Sequence, residues 1–321
     1  MQPIHIIFII VGLLVLSIAG YFLSILYAAH CVHKATMRRT EKTQWARVQN
    51  DDDKEHVIMD NVGMAWCNEN KEYAKDVHII NDGLNLYGEY YDYGHDRAVI
   101  ILCGRPDSLR YAYFYASPYQ KKGFNVLVID ARAHGESDGE FLTFGNEESR
   151  DALAWARFLH IEQGVSSIVF HGICIGSAAG LIAMTSQDCP DYIRALVTDG
   201  IYANFGESMK NHLIERKKNF FPVYRFIDFW VKHYTGHTMD KGPIDVISRM
   251  HRPILMLHSK TDPYSVPSYA QKIYDMCSSE EKKIVWFDNC NHSMLRFNYP
   301  EKYDNEIAAF TDKLYSEIQK I

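Results

Sequence analysis

The sequence predicts an α/β protein: a mostly parallel central sheet flanked by helices, carrying a helical cap insertion and preceded by one N-terminal transmembrane helix. Three observations carry that reading. From Asp76 onward, short apolar strand-like runs alternate with helix-like runs, the pattern of βαβ units. Between Val197 and Pro253 the rhythm breaks for about fifty residues, far longer than an ordinary connection. At the N-terminus, Ile4 to Ala29 is a 26-residue run without Asp, Glu, Lys or Arg.

That run can cross a bilayer with some tilt, at about 1.5 Å of rise per residue. Tyr21 and Tyr27 suit an interface near its C-terminal end. Ser17-Ile18-Ala19 has the look of a signal-peptide cleavage site, but no Lys or Arg precedes the apolar run, so residues 1–29 read as an uncleaved anchor. Lys34, Arg38, Arg39, Lys42 and Arg47 follow it, which orients the remainder towards the cytoplasm by the positive-inside rule. Residues 30–75 read as a polar juxtamembrane connector with short helices, and Asp51-Asp52-Asp53 as a solvated face rather than a metal site.

Residues 76–321 form the main domain. Val77 to Ile80 and Leu84 to Tyr90 flank Asn81-Asp82-Gly83, a hairpin signal. Further strands are expected at Ala98 to Leu102, Asn125 to Ile129, Ser167 to Phe170, Ile193 to Val197, Pro253 to Leu257 and Lys283 to Phe287. Helices are expected over Leu109 to Lys122, Asn146 to His160 and Tyr299 to Ile321. The long break holds a cap at 203–248, whose run from Phe220 to Trp230 reads as packing rather than recognition.

Composition narrows the function. A net charge of −6 over 321 residues argues against nucleic-acid binding by bulk electrostatics. The seven cysteines, at 31, 67, 103, 174, 189, 277 and 290, are odd in number and contain no CxxC pair, so neither a disulfide framework nor a zinc site is expected. No cofactor is expected.

The chemistry centres on His171-Gly172-Ile173-Cys174-Ile175-Gly176-Ser177. A strand that turns abruptly into a helix needs small residues two before and two after the turn, where a Cβ would strike the crossing backbone. Gly172 and Gly176 occupy those positions around Cys174. This is a nucleophile elbow with a thiol in the serine place, exposed at a helix N-terminus that favours the anionic form in which a thiol attacks. Partners follow in the order acid, then base. Asp262 lies after the strand ending near His258, where it could equally start a turn before Pro263, and His292 follows the last strand. The N–H of Ile175 should form half of an oxyanion hole and that of Arg105, after Cys103-Gly104, the other half; Pro106 has no N–H to offer. His171 and His258 read as structural. Gly135-Glu136-Ser137-Asp138-Gly139 matches the serine form of the elbow literally, but a polar loop precedes it and no helix starts until about Asn146, so Cys174 is preferred.

These pieces make the span from Asp76 to Ile321 resemble the α/β-hydrolase superfamily, in particular the serine-aminopeptidase-like and prolyl-oligopeptidase-like bacterial hydrolases, many with an N-terminal membrane segment. The resemblance is carried by Asp82 to Gly88, Asp130 to Ser137, Thr143-Phe144-Gly145 with Asp151 and Trp155, Asp262 with Val266-Pro267, and Asn291-His292 with Pro300 to Tyr303. It implies an α/β-hydrolase fold and a structural role for the Ser137 loop, while the expected partner, a small-molecule acyl substrate, follows from the elbow and its partners. The chain departs from the pattern in its cysteine nucleophile, in Cys103 where a His usually precedes the Gly, and in one extra residue before Val266-Pro267. A thiolate leaves more readily than an amine, so esters, thioesters and lactones are expected ahead of peptide bonds. The expected function is a membrane-anchored hydrolase working through an acyl-enzyme. An acyltransferase, or a catalytically weak hydrolase-fold protein serving as a membrane-tethered binding module, is the alternative.

Overall fold

The computed structural model describes residues 3–42, 44–45, 53–105, 107–215, 217 and 221–318. Arg47, Asp51, Asp52, Pro106, Phe220 and 319–321, which entered the expectations above, lie outside the described residues. The chain opens with helix α1 (Pro3–Met37) and helix α2 (Lys54–Glu69). The hairpin β1 (Ala74–Asn81) and β2 (Leu84–Tyr91) follows, then β3 (Arg97–Leu102), α3 (Leu109–Ala112), α4 (Ser117–Gln120) and β4 (Asn125–Ile129). Next come α5 (Asn146–Glu162), β5 (Ser167–Ile173), α6 (Ile175–Met184) and β6 (Ile193–Asp199). The cap contributes α7 (Phe205–Glu215), α8 (Val223–Thr235) and α9 (Pro243–Val246). The chain closes with β7 (Ile254–Ser259), α10 (Pro267–Met276), β8 (Lys282–Phe287), α11 (Leu295–Asn298) and α12 (Pro300–Ile318).

The eight strands form one sheet in the order β1-β2-β4-β3-β5-β6-β7-β8. β1–β2 and β2–β4 are antiparallel, and every pairing from β4 to β8 is parallel. Because side chains alternate across a strand, each central strand supplies two apolar layers. Val99 and Ile101 of β3 join Val126 and Val128 of β4 on one face, with Met59, Trp66, Tyr115 and Tyr303. Ala98, Ile100 and Leu102 join Leu127 and Ile129 on the other, with Trp155 of α5 and Leu181 of α6.

One expectation needs correction. Leu109 to Lys122 is not one helix: α3 gives way to a 3₁₀ turn at Tyr113–Tyr115 before α4 restarts, with Pro118 in its first turn. Tyr111 to Ala116 are all buried, so this run lacks the solvent face of a surface helix, and proline favours the first turn of a new helix. In the connector, where short helices are expected, helix α2 runs 16 residues and sets Met59, Gly63 and Trp66 on one face, against the buried segment around Tyr113 and Phe114.

α1 is apolar and long enough to cross a membrane by length and composition. It continues to Met37 because His30, His33 and Lys34 lower its hydropathy without breaking a helix. Its far end is fastened to the domain. Leu142 N donates to Met37 O at 3.0 Å and Arg39 N to Glu140 O at 2.6 Å. The buried Arg39 guanidinium also donates to Ser137 O at 2.7 Å.

Candidate active site

The elbow forms because nothing larger than hydrogen fits beside it. A Cβ on Gly172 would stand 2.4 Å from Gly176 backbone atoms, and one on Gly176 would stand 1.9 Å from Leu102 O. Between them Cys174 adopts φ 53°, ψ −110°, a strained conformation for a residue with a side chain. Its N–H donates to Asp199 O at 2.8 Å, which fixes the turn to the neighbouring strand. Ile175 is the first residue of α6, so its N–H belongs to the group with no intrahelical acceptor.

Asp262 serves two purposes at once. Oδ1 accepts from the N–H groups of Tyr264 and Ser265, both at 2.8 Å, which makes the turn before Pro263. Oδ2 meets His292 Nδ1 at 2.7 Å. Burial alone would disfavour the charge on either partner, but the pairing prevails: it holds Asp262 below the usual carboxylate range and His292 well above the usual histidine range, the Cys174 sulfur adding to the latter. The structure thus brings Cys174, Asp262 and His292 into one constellation at the C-terminal ends of β5, β7 and β8, where open α/β sheets bind ligands.

Arg105 also reaches the site, though not only as expected. A Cβ on Gly104 would lie 3.0 Å from Cys174 Cβ, so this loop rests directly on the elbow. The Arg105 side chain turns towards α1 and donates from Nη1 to Thr36 O at 2.7 Å. That contact has no local sequence signal, because it joins residues 69 positions apart.

The remaining candidates sort by burial. Ser137 is buried, donates to Asp130 O at 2.8 Å and accepts from Tyr87 N at 2.9 Å, so its hydroxyl holds a loop. His171 is buried against the Tyr303 hydroxyl at 3.0 Å, and His258 against Ser265 O at 2.6 Å. Sequence reasoning missed Asp199. It ends β6, is fully buried and accepts from the Tyr303 hydroxyl at 2.9 Å. Burial pushes its carboxyl up to about 7, against a lowering by Tyr303 and His292. Its place at a strand's C-terminal end was the available signal.

Over the constellation lies a cavity of about 660 Å³. Cys174, Ile175, Arg105 and His292 form its base, α7 and α8 supply Met209, Leu213, Val223 and Ile227, and α1 supplies Val32, Ala35 and Thr36. Asn211 of α7 donates to Tyr264 O at 3.2 Å, which ties the cap to the acid's loop. A second hollow, about 500 Å³, lies at Arg97 and Ser167, the opposite ends of β3 and β5, away from these groups. Among the described residues, no group of three or more His, Cys, Asp or Glu is placed to hold a metal ion.

The sheet order and the placement of the constellation define the α/β-hydrolase fold. Solved structures share it. The Pyrococcus furiosus esterase Pf2001 is 21% identical, with a TM-score of 0.63, over 77% of this chain and 95% of that one. A hydrolase from Pseudomonas aeruginosa (17%, TM-score 0.57, 74% and 98%) and the α/β hydrolase GrgF from Penicillium (15%, TM-score 0.59, 75% and 98%) superpose similarly. In sequence, the chain is 25% identical over 211 residues to the uncharacterized protein YqkD of Bacillus subtilis, covering 65% of this chain and 67% of that protein. No family model matches the chain.

Proposed function

We propose that this protein is a membrane-anchored hydrolase that cleaves ester or thioester bonds through Cys174, His292 and Asp262, a cysteine variant of the serine-aminopeptidase-like pattern. The observation that carries the reading is a cysteine held at a strained elbow beside a histidine that Asp262 orients at 2.7 Å, under an apolar cavity. Cys174 Sγ attacks the substrate carbonyl, and the N–H groups of Ile175 and Arg105 receive the oxyanion. His292 gives its proton to the departing alcohol or thiol, which leaves an S-acyl enzyme. His292 then takes a proton from water, whose oxygen attacks the thioester, releasing the acid and restoring the thiol. Full-length protein in detergent should hydrolyse p-nitrophenyl butyrate, and iodoacetamide should abolish turnover while adding one carbamidomethyl group at Cys174. No turnover and no labelling at Cys174 would instead support the tethered binding module.

We also place the hydrolase domain on the cytoplasmic side, from the basic residues that follow the apolar run. Cys31, exposed just past that run, reports on it. An impermeant maleimide should label the protein only after lysis; labelling in intact cells reverses the orientation.

A further inference from the structure

The anchor and the cap share one depth. Residues 3–24 of α1 are all exposed, and Ile25 is the first buried one. Twenty-two residues at 1.5 Å each span about 33 Å, close to the roughly 30 Å of a bilayer's hydrocarbon core. A bilayer that covers this stretch therefore ends near Ser24. α8 runs beside α1 in the same direction from that level: Phe226 meets Phe22 at 6.4 Å, Trp230 meets His30 at 4.6 Å and Tyr234 meets His33 at 5.2 Å between ring centroids. Trp230 Nε1 donates to Leu26 O at 3.0 Å, which puts an indole at the height where tryptophans gather in membrane proteins.

The tip of the cap thus lies at the membrane surface. It exposes three large apolar side chains, Ile214 (59%), Phe221 (74%) and Phe229 (53%), beside the exposed charges of Glu215, Lys217 and Arg225. Leu213 and Val223, next to this tip, line the cavity above Cys174, and Val32 and Ala35 of α1 line it from the anchor side. The cavity is thus lined largely by apolar side chains on its cap and α1 sides, and among the described residues no Asp or Glu lines it. We propose that the substrate is a single-chain membrane lipid ester, taken sideways from the leaflet on which the cap tip rests. Its acyl chain lies among Leu213, Val223, Ile227 and α1, and its carbonyl reaches Cys174. The volume of about 660 Å³ suits one small amphiphile.

This inference rests on the acyl-transfer reading above, and the test separates the two. Full-length protein is reconstituted in phosphatidylcholine vesicles holding monooleoylglycerol, with p-nitrophenyl butyrate as a water-soluble comparison. Both should be hydrolysed. The double substitution Phe221→Ser, Phe229→Ser should cut monooleoylglycerol turnover about tenfold, through lost apolar insertion, and leave butyrate turnover unchanged, which also shows that the variant folds. Phosphatidylcholine brominated near the top of its chains should quench part of the tryptophan emission, and Trp230→Phe should remove that part. Butyrate hydrolysis without monooleoylglycerol hydrolysis overturns the lipid proposal alone, as does lipid turnover unaffected by the double substitution, or bromolipid quenching unaltered by Trp230→Phe. Failure to hydrolyse either ester overturns the hydrolase reading and this inference with it.

Discussion

Cys174→Ala should lower p-nitrophenyl butyrate turnover by at least about a thousandfold, because members of a catalytic unit are not replaced by what remains of it. Cys174→Ser should keep a measurable part of the activity. A hydroxyl holds its proton at neutral pH, so the serine form depends on neutral His292 as base. The sulfur's share in holding His292 protonated is then gone, and activity should climb with pH as the imidazole deprotonates. The cysteine form, whose sulfur helps to hold His292 protonated, should not show that climb. Ser137→Ala should leave turnover intact, since that hydroxyl bridges Asp130 O and Tyr87 N. pH–rate profiles of the four proteins check this. Activity that survives Cys174→Ala and disappears with Ser137→Ala would mean that the other elbow carries the chemistry.

Gly176→Ala should be the most destabilising small substitution in the domain. Its new methyl would sit 1.9 Å from Leu102 O, and the neighbour is backbone rather than the end of a flexible side chain. Either α6 or β3 must move, at a cost of about 3 kcal/mol or more. In a domain of this size that lowers the melting temperature by about 6–12 °C. Because α6 carries Ile175 and follows Cys174 directly, turnover should fall as well. Gly20→Ala, where nothing lies within 4 Å of the added methyl, should change neither. Thermal denaturation of the three proteins in one detergent tests the pair, and equal melting temperatures would refute the steric account.

Features set by local rules were legible in the sequence. Gly172 and Gly176 marked the elbow because the required spacing is short and steric. Asp82-Gly83 marked the hairpin because only a few residues accept its turn, and Asp82 and Gly83 do take positive φ of 50° and 77°. Asp262 and His292 could be placed because each follows a readable strand. Features set by distant contacts were not. Nothing near Arg105 announces that its side chain will seek Thr36 O, and nothing near Val32 announces a place in the cavity wall. The 3₁₀ turn at Tyr113–Tyr115 was hidden for a related reason: the run from Tyr111 to Ala116 is buried by segments distant in the chain. α2 also follows a local rule, for Met59, Gly63 and Trp66 stand at helical spacing in a connector read as holding short helices.

The Arg105 bond to Thr36 bears on how this protein can be handled. Cutting the chain after Met37 looks like the obvious way to obtain a water-soluble fragment. It would take away the acceptor that keeps Arg105 in place and the partner of Trp230. It would also strip one side from the chamber above Cys174, where Val32, Ala35 and Thr36 stand. Such a fragment has a different chamber, and any preference among esters measured on it would not report on the whole chain. The N-terminal helix is thus part of the chamber's wall and not only an extension of the chain.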